Sequence, residues 1–254
     1  MIPKIIHYCW FGRNPKPKLA VKCMRSWKKH CSSYKVIEWN EDTFDIAGAP
    51  RYVQEAYENK KWAFVTDYVR LYALYNFGGI YMDTDVEVLK RLDDYLSLKG
   101  FSGFEDEGCV STGIMAAVKG HSLIHEWMSE YEQKPFILPD GTMNLETNVI
   151  AITNSMKRHG LRLDNTMQTV EDFTFYPKEY FCPKSYIDGR IYKTSNTVTI
   201  HHFAGSWLSE AEKKRDAERI AFERNERFTR PVKELAKSVI GERLYGKIKE
   251  RLKR

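Results

Sequence analysis

The stretch from Trp62 to Asp85 constrains the fold more than any other part of the chain. Trp62, Phe64, Val65, Tyr68, Val69, Leu71 and Tyr72 belong to a largely apolar helical segment, Val53 to Asn76, with a break expected near Lys60. Phe77-Gly78-Gly79 stops that helix, as glycine commonly does at a C-terminus. Ile80, Tyr81 and Met82 form a short apolar strand that runs into Asp83-Thr84-Asp85. Side chains alternate along a strand, so carboxylates at i and i+2 are expected on one face, solvent-facing at the strand's end. Two hard oxygen donors placed there can share Mg²⁺ or Mn²⁺. Such a triplet is common in turns among Gly, Ser and Asn, and here it follows an apolar strand instead.

The flanking segments set that strand in an alternating pattern. Ile2 to Trp10 reads as a first strand, Gly12 to Pro17 as a loop, Leu19 to His30 as a helix and Tyr34 to Trp39 as a second strand. Strand, helix, strand, helix, strand predicts an α/β fold with a mostly parallel central sheet. Ligands of such sheets bind beyond the carboxyl ends of the strands, where Asp83 and Asp85 stand. Further strands are expected over 101–104, 113–118 and 197–202, and helices over 121–132 and 148–159. The remainder of the chain reads as helical and charged.

At 254 residues with 43% hydrophobic and 13% aromatic content, the chain is long enough for one large globular domain. No stretch approaches the about 20 apolar residues of a membrane span. The N-terminus has no signal-peptide pattern, and five cysteines without paired C-x-x-C spacing are expected as reduced thiols, so a cytoplasmic location is expected. The net charge of +6 is uneven: 15 Lys and Arg face 8 Asp and Glu from Ala211 to Arg254, against 25 and 26 before it. A catalytic domain over 1–210 and a basic helical extension over 211–254 are therefore expected. From Pro231 to Arg254, Val232, Leu235, Val239, Leu244, Ile248 and Leu252 recur at three- to five-residue intervals among Lys and Arg. That pattern suits an anionic membrane surface, at the inner face of the cell membrane, as well as a solvated or core-packed helix.

Several residues bear on chemistry. Asp67 and Arg70 are i, i+3 and share a helix face. An exposed pair of this kind is commonplace and weak, whereas charges set among apolar neighbours need a partner or a purpose. His201 and His202 lie at a strand end, and imidazole can complete a carboxylate metal site, though of two adjacent residues one points away. Gly205-Ser206-Trp207 offers N–H, hydroxyl and indole donors to a phosphate, or a packed Trp. Trp10 and Phe11 close the first strand at the same sheet edge, where rings stack on a base or simply pack.

Taken together, these blocks resemble glycosyltransferase family 32, the Asp-x-Asp sugar-transferases that include the yeast initiating mannosyltransferase and many bacterial capsule and exopolysaccharide enzymes. The resemblance rests on Ile2-Pro3-Lys4-Ile5-Ile6-His7-Tyr8-Cys9-Trp10-Phe11-Gly12, on Trp62-Ala63 through Thr66-Asp67-Tyr68-Val69-Arg70, and on Gly78-Gly79-Ile80-Tyr81-Met82-Asp83-Thr84-Asp85. These occur in the family's order over roughly the first hundred residues. His202-Phe203-Ala204-Gly205 also looks like the late His-aromatic-x-Gly element of related retaining transferases. The resemblance implies a GT-A (Rossmann-like) fold, Mn²⁺ or Mg²⁺, and a nucleotide-diphosphate sugar donor, with uridine diphosphate favoured. It also implies retention of anomeric configuration and a glycan or lipid-linked acceptor in surface polysaccharide synthesis.

On the same basis, Asp83, Asp85 and His202 are the expected metal ligands. Asp67 and Arg70 would hold sugar hydroxyls, and Arg70 would also face charge developing on the leaving group. Trp10, Phe11, Gly79, Tyr81 and Asp83 would line the donor, with Ser206 and Trp207 at the diphosphate. Glu105, Asp106, Asn144 and Glu146 are polar candidates on the acceptor side. Two rivals are weaker. A haloacid dehalogenase-type phosphatase shares the strand-end Asp-x-Asp, but its later Ser/Thr, Lys and carboxylate set is not evident. A basic binding protein accounts for the pI of 8.9, but acids interleave the basic residues and no nucleic-acid motif accompanies them.

Overall fold

The computed structural model describes residues 1–106, 108–205, 208 and 210–240. These form two units, one of Met1–Ser185 with the chain from Ile191, and one of Tyr186–Arg190 with the chain from Leu208. The second unit thus takes in Tyr186–Arg190, which the division at residue 210 assigns to the first.

The first unit contains strands β1 (Ile5–Cys9), β2 (Lys35–Trp39), β3 (Gly79–Met82), β4 (Val86–Val88), β5 (Gly100–Gly103), β6 (Ile114–Ala117), β7 (Gln168–Val170), β8 (Phe173–Tyr176) and β9 (Thr199–His201). Its helices are α1 (Lys18–His30), α2 (Arg51–Glu58), α3 (Trp62–Phe77), α4 (Ser122–Gln133), α5 (Asn148–Arg158) and α6 (Lys178–Phe181). Seven strands make a sheet in the order β2-β1-β3-β6-β5-β8-β7, and β4 pairs with β9 in a separate antiparallel ribbon. The architecture is α/β. Pairing is parallel at β1–β2, β1–β3 and β5–β8. It is antiparallel at β3–β6, β5–β6 and β7–β8. Parallel pairing thus holds along β2-β1-β3 and again at β5–β8, and the sheet as a whole is mixed.

Alternation along the strands builds a core on each face of the sheet. Tyr81, Met115 and Ala117 pack with α2, α3, α4 and α5 through Tyr52, Val65, Leu74, Trp127 and Ile152. Ile80, Met82, Ile114 and Ala116 face the other way, toward Trp27 of α1, Val86 and Val88 of β4, and Phe181. The break near Lys60 is present, with α2 and α3 separated by Lys60 at φ 56°. Gly79 has φ +111°, and a Cβ there would stand 2.7 Å from the Ile5 carbonyl oxygen. Glycine is thus what lets α3 turn directly into β3 against β1. β4, β7, β8 and α6 are elements that the periodicity of the sequence does not predict.

The second unit carries α7 (Glu210–Ile240). Arg227 Nη1 donates to Asp188 Oδ2 at 2.7 Å, and the Arg219 guanidinium lies 4.5 Å from the Tyr186 ring centroid. Residues 241–254 of the predicted basic extension lie outside the described residues. No described helix is long and apolar enough to cross a membrane.

Candidate active site

Asp83 and Asp85 are brought together by a turn, not by strand alternation. β3 ends at Met82, the Val86 N–H donates to the Asp83 carbonyl at 3.0 Å, and β4 begins at Val86. The Asp83 N–H donates to the Gly113 carbonyl at 2.8 Å, which fixes the turn beside the start of β6.

Each carboxylate has one oxygen tied to the protein and the other directed at the same imidazole. Asp83 Oδ1 accepts from the Tyr81 hydroxyl at 2.8 Å and lies 3.4 Å from Arg70 Nη2. Its Oδ2 is 3.9 Å from His201 Nε2. Asp85 Oδ2 accepts from the Ala204 N–H at 2.6 Å, and its Oδ1 is 3.4 Å from His201 Nε2. The Asp85 side chain is only 13% exposed, which corrects the expectation of a solvent-facing residue. Burial alone would push its pKa up, but the His201 charge and the bonds from His201 and Ala204 hold it down at about 2. Burial disfavours the charged imidazole of His201, and the Asp85 carboxylate overcomes this, raising its pKa well above the ordinary value.

The histidine is the main correction. Its register opposite Val86 in the β4–β9 ribbon turns His201 toward the carboxylates. His202, the ligand implied by the family resemblance, points the other way, and its Nε2 pairs with Glu87 Oε2 at 2.8 Å. Successive residues of an extended strand face opposite sides, so only one of the doublet can enter the site. Gly113 makes room for the ring, since a Cβ there would lie 2.7 Å from His201 Nδ1.

One ligand atom each from Asp83, Asp85 and His201 lie within 4.8 Å of one another. Two carboxylate oxygens and an imidazole nitrogen at that spacing fit a divalent cation with bonds of about 2.0–2.6 Å.

Behind this cluster lies a buried ion network. The Arg70 and Asp67 side chains are 6% and 10% exposed and 3.3 Å apart, so this is not a solvated surface pair. Arg70 also donates to the Thr112 carbonyl at 2.8 Å and the Thr66 carbonyl at 3.2 Å, and its guanidinium lies 4.6 Å from the Tyr81 ring centroid. Asp67 Oδ2 accepts from the Asn148 N–H at the start of α5 at 3.3 Å. Burial raises the Asp67 pKa to about 6, against the pull of Arg70 and the Asn148 N–H. Arg70, itself held by Asp67, therefore braces Asp83 from behind.

The remaining candidates divide. Trp10 is half-buried at the edge of β1, and its indole N–H donates to the Asn14 carbonyl at 2.6 Å. Phe11 is 5% exposed and packs edge-on against Phe44, so it is a core residue and not a base-stacking one. Gly79 serves the α3–β3 turn, and Tyr81, 1% exposed, orients Asp83. Ser206 and Trp207 lie outside the described residues. Asp106 pairs with Lys178, Glu146 lies 3.9 Å from Lys134, and Asn144 Oδ1 accepts the Glu146 N–H at 3.2 Å. Glu105 is drawn in toward His201, beside Cys182. Sequence reasoning did not place His201, Gly113, Thr112 or Cys182 at this cluster. The doublet was a visible signal, but choosing between its members required the β4–β9 register.

Residues 17–101 match the family model described as the glycosyltransferase sugar-binding region containing DXD motif. The chain is 28% identical over 127 residues to inositol phosphoceramide mannosyltransferase 3 of Schizosaccharomyces pombe, covering 48% of this chain and 35% of that protein. It is 25% identical over 185 residues to a mannosyl phosphorylinositol ceramide synthase of Saccharomyces cerevisiae, covering 71% and 49%. The chain thus spans between about a third and a half of the length of these curated relatives. A solved glycosyltransferase involved in glycosylation of the major capsid of PBCV-1 aligns with 12% identity and a TM-score of 0.44, covering 85% of this chain and 98% of that one. The region that resembles the DXD glycosyltransferase family model, residues 17–101, contains Asp83 and Asp85.

Proposed function

We propose that the chain transfers a sugar from a nucleotide-diphosphate donor, with a divalent cation held by Asp83, Asp85 and His201. The observation that carries this reading is the convergence of Asp83 Oδ2 and Asp85 Oδ1 on His201 Nε2, with the opposite oxygen of each carboxylate anchored. A cation in that position supplies positive charge next to the donor diphosphate, where negative charge grows as the sugar–phosphate bond breaks. The protein's own part is preorganisation. Tyr81 and Arg70 hold Asp83 in one rotamer, Asp67 holds Arg70, and the Ala204 N–H holds Asp85. Trp10 borders the nucleotide, and an acceptor hydroxyl attacks the anomeric carbon from the face the diphosphate leaves, with retention.

The donor sugar is a hexose or N-acetylhexosamine. Uridine diphosphate sugars come first on the family resemblance, and the mannosyl names of the relatives support including mannose donors. The acceptor is a glycan or a lipid-linked oligosaccharide for surface polysaccharide, and the protein works in the cytoplasm, at the inner membrane face. A panel of nucleotide sugars assayed for hydrolysis and transfer, with Mn²⁺ and with chelator, tests the core of this reading. Turnover of at least one donor is expected, lost in chelator and reduced by orders of magnitude in Asp85→Asn with normal melting. Full turnover in chelator, or in folded Asp85→Asn, overturns it.

A further inference from the structure

His201 belongs to two sets of donor atoms. Besides Asp83, Asp85 and His201, one ligand atom each from Glu105, Cys182 and His201 also lie within 4.8 Å of one another. The two sets differ in chemistry. Two carboxylates and an imidazole suit hard cations such as Mg²⁺ and Mn²⁺, whereas a thiolate, an imidazole and a carboxylate suit Zn²⁺.

The second set is held by structure. Cys182 is buried at the end of α6, and Thr199 Oγ1 donates to the Phe181 carbonyl at 2.7 Å, tying that end to β9 two residues before His201. The Glu105 N–H donates to the Cys109 carbonyl at 3.0 Å. Burial raises the pKa of the Glu105 carboxyl, with the nearby His201 opposing the shift. An independent sign of a missing ligand comes from the ring itself. His201 Nδ1 is buried with no partner of hydrogen-bond geometry. The neighbouring Cys182 thiol raises the imidazole's proton affinity. Buried polar atoms are nearly always satisfied, so an orphaned imidazole nitrogen in a Cys/Glu cluster invites a cation.

We propose that Glu105, Cys182 and His201 form a Zn²⁺ site that competes with Asp83 and Asp85 for His201. Three protein ligands leave a fourth tetrahedral position for water. Binding forms the sulfur–zinc and nitrogen–zinc bonds as the Cys182 thiol and the His201 imidazolium each release a proton to solvent, without electron transfer. A neutral imidazole has one lone pair, so a cation on one set denies His201 to the other. Zn²⁺ is therefore an inhibitor of the Mn²⁺- or Mg²⁺-loaded state. This consequence rests on the proposed function, whereas the binding itself does not.

Titration of the metal-free full-length protein with Co²⁺, read by absorbance, tests the site without turnover. A sulfur-to-cobalt charge-transfer band is expected in wild type, displaced by Zn²⁺, absent in Cys182→Ser and retained in Asp85→Asn. Glu105→Gln should keep the band and weaken Zn²⁺ binding at least tenfold in chelator competition, which covers the case of Cys182→Ser failing to fold. Where a donor is turned over, the Zn²⁺ concentration that halves the rate, relative to each protein's own zinc-free rate, should rise at least tenfold in Cys182→Ser. No band in wild type, a band that survives in folded Cys182→Ser, or unchanged Zn²⁺ affinity in Glu105→Gln overturns the site. A lost band with unchanged zinc inhibition overturns the competition alone.

Discussion

Gly113→Ala tests the choice of His201 over His202 without touching any ligand. The added Cβ would stand 2.7 Å from His201 Nδ1, 2.8 Å from Cε1 and 3.2 Å from Cγ. Ordinary contact begins at 3.4 Å, so the ring must retreat by about 0.7 Å. Phe203, whose ring centroid lies 4.3 Å from that of His201, limits where it can go. Metal–ligand distances tolerate only about ±0.2 Å. A shift of this size should weaken Mn²⁺ binding about 10- to 100-fold, or about 1.4–2.7 kcal/mol. Overpacking should cost about 1–3 kcal/mol of stability as well. Free Mn²⁺ followed by electron paramagnetic resonance gives the affinity, and melting at fixed pH gives the stability. His201→Ala should match or exceed the loss, while His202→Gln, which removes only the contact with Glu87, should bind nearly as wild type. Unchanged Mn²⁺ affinity in Gly113→Ala, or an equal loss in His202→Gln, would refute the assignment.

Two further outcomes are expected. The Trp39 indole donates to His7 Nδ1 at 3.1 Å, so His7 Nε2 carries the proton and donates to the Gly78 carbonyl at 2.8 Å, leaving a buried neutral ring whose pKa burial lowers. The unfolded chain takes up a proton near the ordinary value of 6.5 while the folded one resists, so this contribution to stability is complete above 6.5 and is lost as pH falls toward the lowered folded value. His7→Gln should therefore lose less melting temperature than wild type between about pH 7.5 and 5.5, and parallel declines would dismiss the argument. For the tail, at about 1 kcal/mol per basic residue near an anionic surface, the full-length chain should float with anionic vesicles at low salt. A truncation before Pro231 that floats equally well would assign the tail no role at membranes.

What the sequence reveals follows from how local each determinant is. The apolar helix, the Gly78-Gly79 stop and the strand before Asp83 depend on neighbours within a few residues, and their periodicity and punctuation are visible. β7 and β8 escaped because their two-residue turn is Glu171-Asp172, both at positive φ (49° and 63°), where Asn-Gly would have announced a hairpin. The Asp-x-Asp pair was legible as chemistry but misread as geometry, because a three-residue strand such as β4 leaves too little alternation to distinguish strand from turn. The histidine is the clearest case. Two identical residues side by side carry no local information about which one faces inward, and only a register across the β4–β9 ribbon breaks the tie.

That ribbon also bears on how the protein folds. Val86 finds His201 across more than a hundred intervening residues, and the Ala204 N–H reaches Asp85 across a similar span. Closing such a loop carries an entropy cost that local helices and hairpins avoid, and contacts of this kind slow folding. On the ribosome, Asp83 and Asp85 emerge long before His201, so the proposed cation site stays incomplete until it arrives. Metal affinity should therefore arise late in maturation, after the chain has returned to lay β9 beside β4. A fragment ending with the matched region at residue 101 would carry Asp83 and Asp85 without His201.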